Sequence, residues 1–223
     1  MIRHLPNLLT CCNLLCGCLG IVSVLENKFI PAAYFVWVAG VFDFFDGFSA
    51  RILKVSSPIG KELDSLADVI SFGLLPAVVM YKMWGGQGGE FLPYLSFSIA
   101  IFSALRLAIF NVDETQSDSF RGLPTPANAF LITALPLQAG VLEAWLNQPW
   151  VLVVVIVLSS FLLVSPIELF ALKFKNFSWK ENKIRITFLL LSIVMLASLQ
   201  IMAIPIVILL YIVLSLGQKA FSK

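Results

Sequence analysis

Apolar residues in this chain run in long blocks, broken by short polar stretches, with neither the two-residue alternation of a surface strand nor the narrow stripe of a soluble helix. A helix needs about 20 apolar residues to cross a bilayer, and eight runs approach that length: 8–25, 31–53, 62–84, 91–111, 125–144, 149–166, 184–200 and 202–218. The pattern predicts an all-α integral membrane protein, a bundle of about eight transmembrane helices in a single membrane domain spanning 1–223. The first run opens with Arg3 and His4, as a signal peptide does, but Asn7, Thr10 and Asn13 interrupt it and no small-residue cleavage site follows. It therefore reads as a mature helix.

The polar exceptions carry more information than the apolar rule. Asn7, Thr10 and Asn13 recur every three residues and so share one helical face. Either they hydrogen-bond across helices, or they line a cavity at headgroup level. The stretch from Asp43 to Asp68 then reads DFFDGFSARILKVSSPIGKELDSLAD. Asp43 and Asp46 stand at i and i+3 near the end of the second run, Asp64 and Asp68 at i and i+4 early in the third. Gly47 and Ala50 are small enough to let another backbone or a ligand approach. Ser56, Ser57, Pro58 and Gly60 mark a loop, with the third helix expected to begin near Lys61. A short loop makes the two helices antiparallel neighbours, so their acidic faces converge.

Composition and charge set the orientation. The chain is 59 % hydrophobic and 13 % charged, with a mean hydropathy of +0.94. With a cytoplasmic N-terminus, Arg3, Arg51, Lys54, Lys61, Arg106, Arg121, Lys173, Lys175, Lys180, Lys183, Arg185, Lys219 and Lys223 fall inside, and only Lys28 and Lys82 outside. This satisfies the positive-inside rule for an N-in, C-in bundle with the aspartates facing the cytoplasm. The basic, aromatic link 168–185, with Phe174, Phe177 and Trp179, reads as positive-inside flanking charge or as a segment lying on the anionic leaflet. The polar loop around Asp113, Glu114, Asp118 and Arg121 reads as a connector or a flap. Cys11, Cys12, Cys16 and Cys18 all lie in the first run with no histidine or outside cysteine to complete a metal site, so they read as packing residues.

An ionised aspartate in hydrocarbon costs roughly 2.5 to 3.5 kcal/mol even on lenient insertion scales, so four together demand a partner. Arg51, Lys54 and Lys61 could pair with them as an interfacial salt-bridge belt. Carboxylates without histidine or thiolate otherwise make a hard-oxygen site for Mg²⁺, Mn²⁺ or Ca²⁺. Such ions bridge carboxylates to phosphoryl oxygens, with Arg51 and Lys61 neutralising what remains. A carboxylate free of full coordination could then accept the proton of an attacking hydroxyl.

The pattern D-x-x-D-G-x-x-A-R-x8-G-x-x-x-D-x-x-x-D is complete as Asp43, Asp46, Gly47, Ala50, Arg51, Gly60, Asp64 and Asp68. It resembles the signature of the CDP-alcohol phosphotransferases, membrane enzymes that move a substituted phosphate from a CDP-linked donor to an alcohol and release CMP. The resemblance implies a six-helix catalytic core within 1–166, followed by a cytoplasmic linker and two C-terminal helices in 167–223. It implies Asp43, Asp46 and Asp64 as metal ligands and Asp68 as both second-metal ligand and general base, in a two-metal Mg²⁺ or Mn²⁺ site. Gly47, Ala50, Arg51 and Gly60 would contact the CDP moiety, joined by Asn7, Thr10 and Asn13 if these line the cavity.

A narrower likeness covers the first five runs. PNLLTCCNLLCG, SPIGKELDSLADVISFGLLPA, LRLAIFN and FRGLPTPANA are similar to stretches of the CDP-diacylglycerol–serine O-phosphatidyltransferases. One departure is Ile109, where that group often has arginine. The likeness implies CDP-diacylglycerol and L-serine as substrates, membrane lipids as surroundings, a homodimer and no nucleic-acid partner. Serine's carboxylate needs a cation, for which Lys61, Arg106 and Arg121 are the candidates, each also readable as a snorkelling anchor. Glycerol 3-phosphate or an inositol phosphate is the rival acceptor, and a cation transporter the rival class. A transporter would place acidic or broken-helix elements near the midplane of several helices.

Overall fold

The computed structural model describes residues 4–55, 57–113, 119–170 and 179–221. Arg3, Ser56, Glu114, Asp118, Lys223 and most of the basic link, with Lys173, Phe174, Lys175 and Phe177, lie outside the described residues. Helix α1 (Leu5–Leu25) and α2 (Phe29–Leu53) form an antiparallel pair, followed by α3 (Pro58–Met83) and α4 (Leu92–Val112). Next come β1 (Ser119–Arg121), α5 (Thr125–Ala134), α6 (Ala139–Leu146) and α7 (Pro149–Val164). Strand β2 (Glu168–Phe170), α8 (Trp179–Leu199) and α9 (Ala203–Phe221) complete the order.

All eight predicted runs lie on helices, and the protein is an all-α membrane protein. Among the described residues, α1 to α4 and the Asn182–Leu199 part of α8 are long and apolar enough to cross a membrane; α7 and α9 are shorter apolar helices. Large side chains such as Leu8, Leu15, Val22, Phe44, Ile101 and Val157 are exposed on the outside of this bundle, where a lipid-facing helix carries its leucines and valines.

Four local expectations change. Run 125–144 is not one straight helix: a short 3₁₀ segment, Leu135–Gln138, ends α5, and the chain bends by 101° into α6. Pro136 lies inside that segment, where it removes an amide donor and crowds the preceding turn. Helix α3 begins at Pro58, before Lys61, because proline suits a first helical position and Ser57 Oγ caps the Gly60 N–H at 3.0 Å. Within α3, Val69–Leu74 is a π-turn whose Leu75 N–H bonds to Ile70 O. Pro76 cannot donate to the Phe72 carbonyl, and the wider turn accommodates that loss. Finally, the polar loop and the basic link contribute a two-stranded antiparallel ribbon, Ser119 opposite Phe170 and Arg121 opposite Glu168. Three-residue strands are too short to show periodicity.

Two cores hold the bundle. The larger surrounds Phe72, Leu75, Met80, Trp84, Ile99 and Ile132; the smaller joins Leu123, Leu169 and Phe170 to Phe188, Ile208 and Tyr211. The contact that matters for the site is between α1 and α3. Gly17 packs so tightly on the π-turn that an added Cβ would collide with Ser71 Oγ and lie 2.9 Å from Ser71 Cα, while Ser71 Oγ donates to Asn13 O at 2.9 Å. All four cysteines are free thiols, Cys16 buried and Cys11 and Cys18 exposed.

A Gly17→Ala substitution is expected to wedge α1 from α3 and cost about 1 to 3 kcal/mol. Unfolding in detergent checks this: the midpoint falls for Gly17→Ala, whereas Gly47→Ala, inside a helix where a Cβ meets nothing within 4 Å, leaves it in place or raises it slightly by restricting the unfolded chain.

Candidate active site

Helices α2 and α3, each packed on α1, bring the aspartates together. Asp43 on α2 and Asp64 and Asp68 on α3 each offer a carboxylate oxygen, and the three atoms lie within 4.8 Å of one another. Asp68 is buried; Asp43 and Asp64 are half-buried. Two unit charges at such a separation repel by roughly 3 to 4 kcal/mol at an effective dielectric constant of about 20. Among the described residues none of the four aspartates pairs with Arg51, Lys54 or Lys61. The salt-bridge belt is therefore not what this arrangement forms.

Helix α1 steadies the carboxylates through its polar face. Asn13, fully buried, donates from Nδ2 to Asp68 Oδ1 at 3.0 Å, and Thr10 Oγ1 donates to Asp46 Oδ2 at 2.7 Å. Asp46 is thus held to one side of the triad. Asp64 Oδ1 is buried without a hydrogen-bond partner. Three clustered oxygen donors, one of them orphaned, and no thiolate or imidazole suit a hard divalent cation. The donor set fits the ion that the sequence implies.

Beside the triad lies an open cavity of about 900 Å³ lined by Asn7, Thr10, Asp46, Gly47, Ala50, Gly60, Lys61 and Asp64 among others. Gly47 leaves space at its Cα, and Asn7 Oδ1 lies 3.1 Å from where a Cβ on Gly60 would stand. Arg51 is exposed and outside this lining, and Asn13 is behind it, engaged with Asp68. Lys61 Nζ donates to Asn111 O at 2.7 Å, and Asn111 Nδ2 donates to Ser65 Oγ at 2.7 Å. These bonds clamp the start of α3 to the end of α4.

The other two sequence-level cations stand apart from Lys61. Arg106 and Arg121 line a second cavity of about 220 Å³ together with Ile109, Phe110, Asp113, Ser165 and others. Asp113, which the sequence places in a polar loop, is the extended residue that closes α4, and that position brings it into the cavity wall beside Arg106. The partnership of Asn13 with Asp68 had a weaker signal. The three-residue spacing marks the face but not the helix it meets.

A family model described as CDP-alcohol phosphatidyltransferase matches residues 3–147. The chain is similar to a Helicobacter pylori protein named CDP-diacylglycerol–serine O-phosphatidyltransferase, 33 % identical over 204 residues, covering 89 % of this chain and 84 % of that one. Proteins of the same name from Bacillus subtilis and Saccharomyces cerevisiae are 34 % and 35 % identical. These cover 56 % and 59 % of this chain, and 70 % and 53 % of the respective relatives.

Removing the Asn13 amide leaves Asp68 without its orienting donor, so Asn13→Ala is expected to weaken divalent-ion binding about 10- to 100-fold. Titration with Mn²⁺ followed by electron paramagnetic resonance measures this directly, and unchanged affinity would show that Asn13 only packs.

Proposed function

The chain belongs to the CDP-alcohol phosphatidyltransferase family, and from that premise we propose that it transfers the phosphatidyl group of CDP-diacylglycerol to the hydroxyl of L-serine, giving phosphatidylserine and CMP. The observation that carries this reading is the carboxylate triad of Asp43, Asp64 and Asp68 set against the open cavity at Gly47. Bound Mg²⁺ or Mn²⁺, in a two-metal site held by the triad with Asp46, would neutralise the diphosphate and polarise the phosphorus under attack.

The protein's own groups do the rest. Asp68, oriented by Asn13, accepts the proton of the serine hydroxyl. The serine oxygen bonds to the lipid-side phosphorus as the bond from that phosphorus to the CMP oxygen breaks, and CMP leaves with the electron pair. Gly47, Ala50 and Gly60 let the nucleotide approach the backbone, with Asn7 and Thr10 on the facing wall; Arg51, exposed one residue beyond Ala50, is the candidate cation for the CDP moiety at the cavity's edge. Lys61, on that same wall, adds positive charge beside the diphosphate, leaving Arg106 and Arg121 for the acceptor's carboxylate. The acyl chains stay in the bilayer. We place the site and both termini on the cytoplasmic face, by the excess of lysine and arginine there, with 1–166 as the core of one domain that works as a homodimer.

Purified protein in liposomes with CDP-diacylglycerol and Mn²⁺ is expected to release CMP only when serine is added. Asp68→Asn is expected to lower kcat at least 100-fold, in line with loss of a general base. CMP release driven by glycerol 3-phosphate or an inositol phosphate would replace the acceptor and keep the chemistry; metal binding without release by any acceptor would favour transport.

A further inference from the structure

The second cavity is small and carries charge of both signs. Its volume of about 220 Å³ is below the ~300 to 1,000 Å³ of clefts that take drug-sized ligands, while the cavity beside the triad reaches about 900 Å³. Arg106, Ile109 and Phe110 line the small cavity from i, i+3 and i+4 of one α4 face, and Asp113, the residue just past the helix, joins them. Asp113 caps the helix in an extended conformation. Arg121 enters from β1, and Ser165 and Pro166 from the chain leading to β2.

Arg106 is the anchor. It is only 8 % exposed, yet its Nε is buried without a hydrogen-bond partner, an unsatisfied donor on a charged group that is costly to leave unmade. A carboxylate seated on it would relieve that deficit. Helix α4, which carries Arg106, packs along the helix that carries Asp64 and Asp68: Asn111 Nδ2 donates to Ser65 Oγ at 2.7 Å, and a Cβ on Gly73 would stand 3.0 Å from Ser103 Cβ. Asp113 and Arg121 hold interactions within the protein as well, and both remain part of the cavity wall.

We infer that this cavity reads the acceptor as a zwitterion: Arg106, with Arg121, takes its carboxylate, and Asp113 takes its α-ammonium. Asp113 is then the specificity residue. It favours an amino acid alcohol and repels acceptors that bring a phosphate, because a second anion would face its carboxylate at close range. The inference rests on the serine-type reading above, and goes beyond it in naming the group that recognises the amine.

The test compares steady-state kinetics of the full-length protein, its Asp113→Asn and its Asp113→Glu forms with L-serine and with L-glycerate, which keeps the hydroxymethyl group, the carboxylate and the configuration but has a hydroxyl in place of the ammonium. For Asp113→Asn, KM for serine is expected to rise about tenfold or more while kcat and KM for CDP-diacylglycerol stay near their original values. Asp113→Glu is expected to recover part of the loss, and the preference for serine over glycerate to shrink only in Asp113→Asn. Unchanged serine KM and unchanged preference overturn the inference while leaving phosphatidylserine synthesis standing. No serine-dependent product from the unsubstituted protein overturns the underlying reading instead. Should Asp113→Asn fail to fold, inhibition of the unsubstituted protein decides: L-alanine is expected to compete with serine at least about tenfold better than propionate, and equal inhibition overturns the inference.

Discussion

Mutual repulsion among Asp43, Asp64 and Asp68 is the constraint on which the rest of this structure depends. Three carboxylate oxygens lie within 4.8 Å of one another with no lysine or arginine salt bridge to them among the described residues, an arrangement that bound positive charge between them would relieve. The surrounding architecture serves to keep that unfavourable cluster in place. Gly17 lets α1 press against the π-turn of α3, and that approach lets Asn13 reach Asp68 and Thr10 reach Asp46. Loosening the helix contact would relax the carboxylates apart, so fold and function share one interface here.

Much of this was legible in the sequence because membrane helices are written in long runs and charged exceptions stand out against them. The aspartates at i, i+3 and i, i+4 named both the residues and the faces, and the short loop around Pro58 made the faces meet. What the sequence could not supply was depth and partnership. Asp46 belongs to the same pattern as Asp43, yet Thr10 holds it aside, a consequence of how α1 packs. The ribbon between Ser119–Arg121 and Glu168–Phe170 was invisible since three residues carry no period, and its pairing depends on Gly122. That residue has φ +75° and donates to Ile167 O at 2.9 Å, where any Cβ would strike the Leu163 carbonyl. The bend between α5 and α6 escaped a reading of hydropathy, which registers apolar length and is blind to direction.

Two cavities of different make adjoin the helices that carry the triad. The larger one runs from Asp64 past Gly47 and Gly60 and has small-residue walls. The smaller one is built partly by α4 and partly by the ribbon and the end of α7, so elements beyond the family-matched residues 3–147 help shape it. Ser165 and Pro166 are examples. Tyr211, whose hydroxyl donates to Phe170 O at 2.9 Å, ties β2 to α9 and so braces that wall from the C-terminal side.

The central claim is that the triad exists to hold a divalent cation, and anomalous diffraction from crystals grown with Mn²⁺ tests it most directly. The account predicts an anomalous peak bounded by the carboxylate oxygens of Asp43, Asp64 and Asp68. Ion-free carboxylates bonded to Lys54 or Lys61, with any Mn²⁺ peak elsewhere, would contradict it.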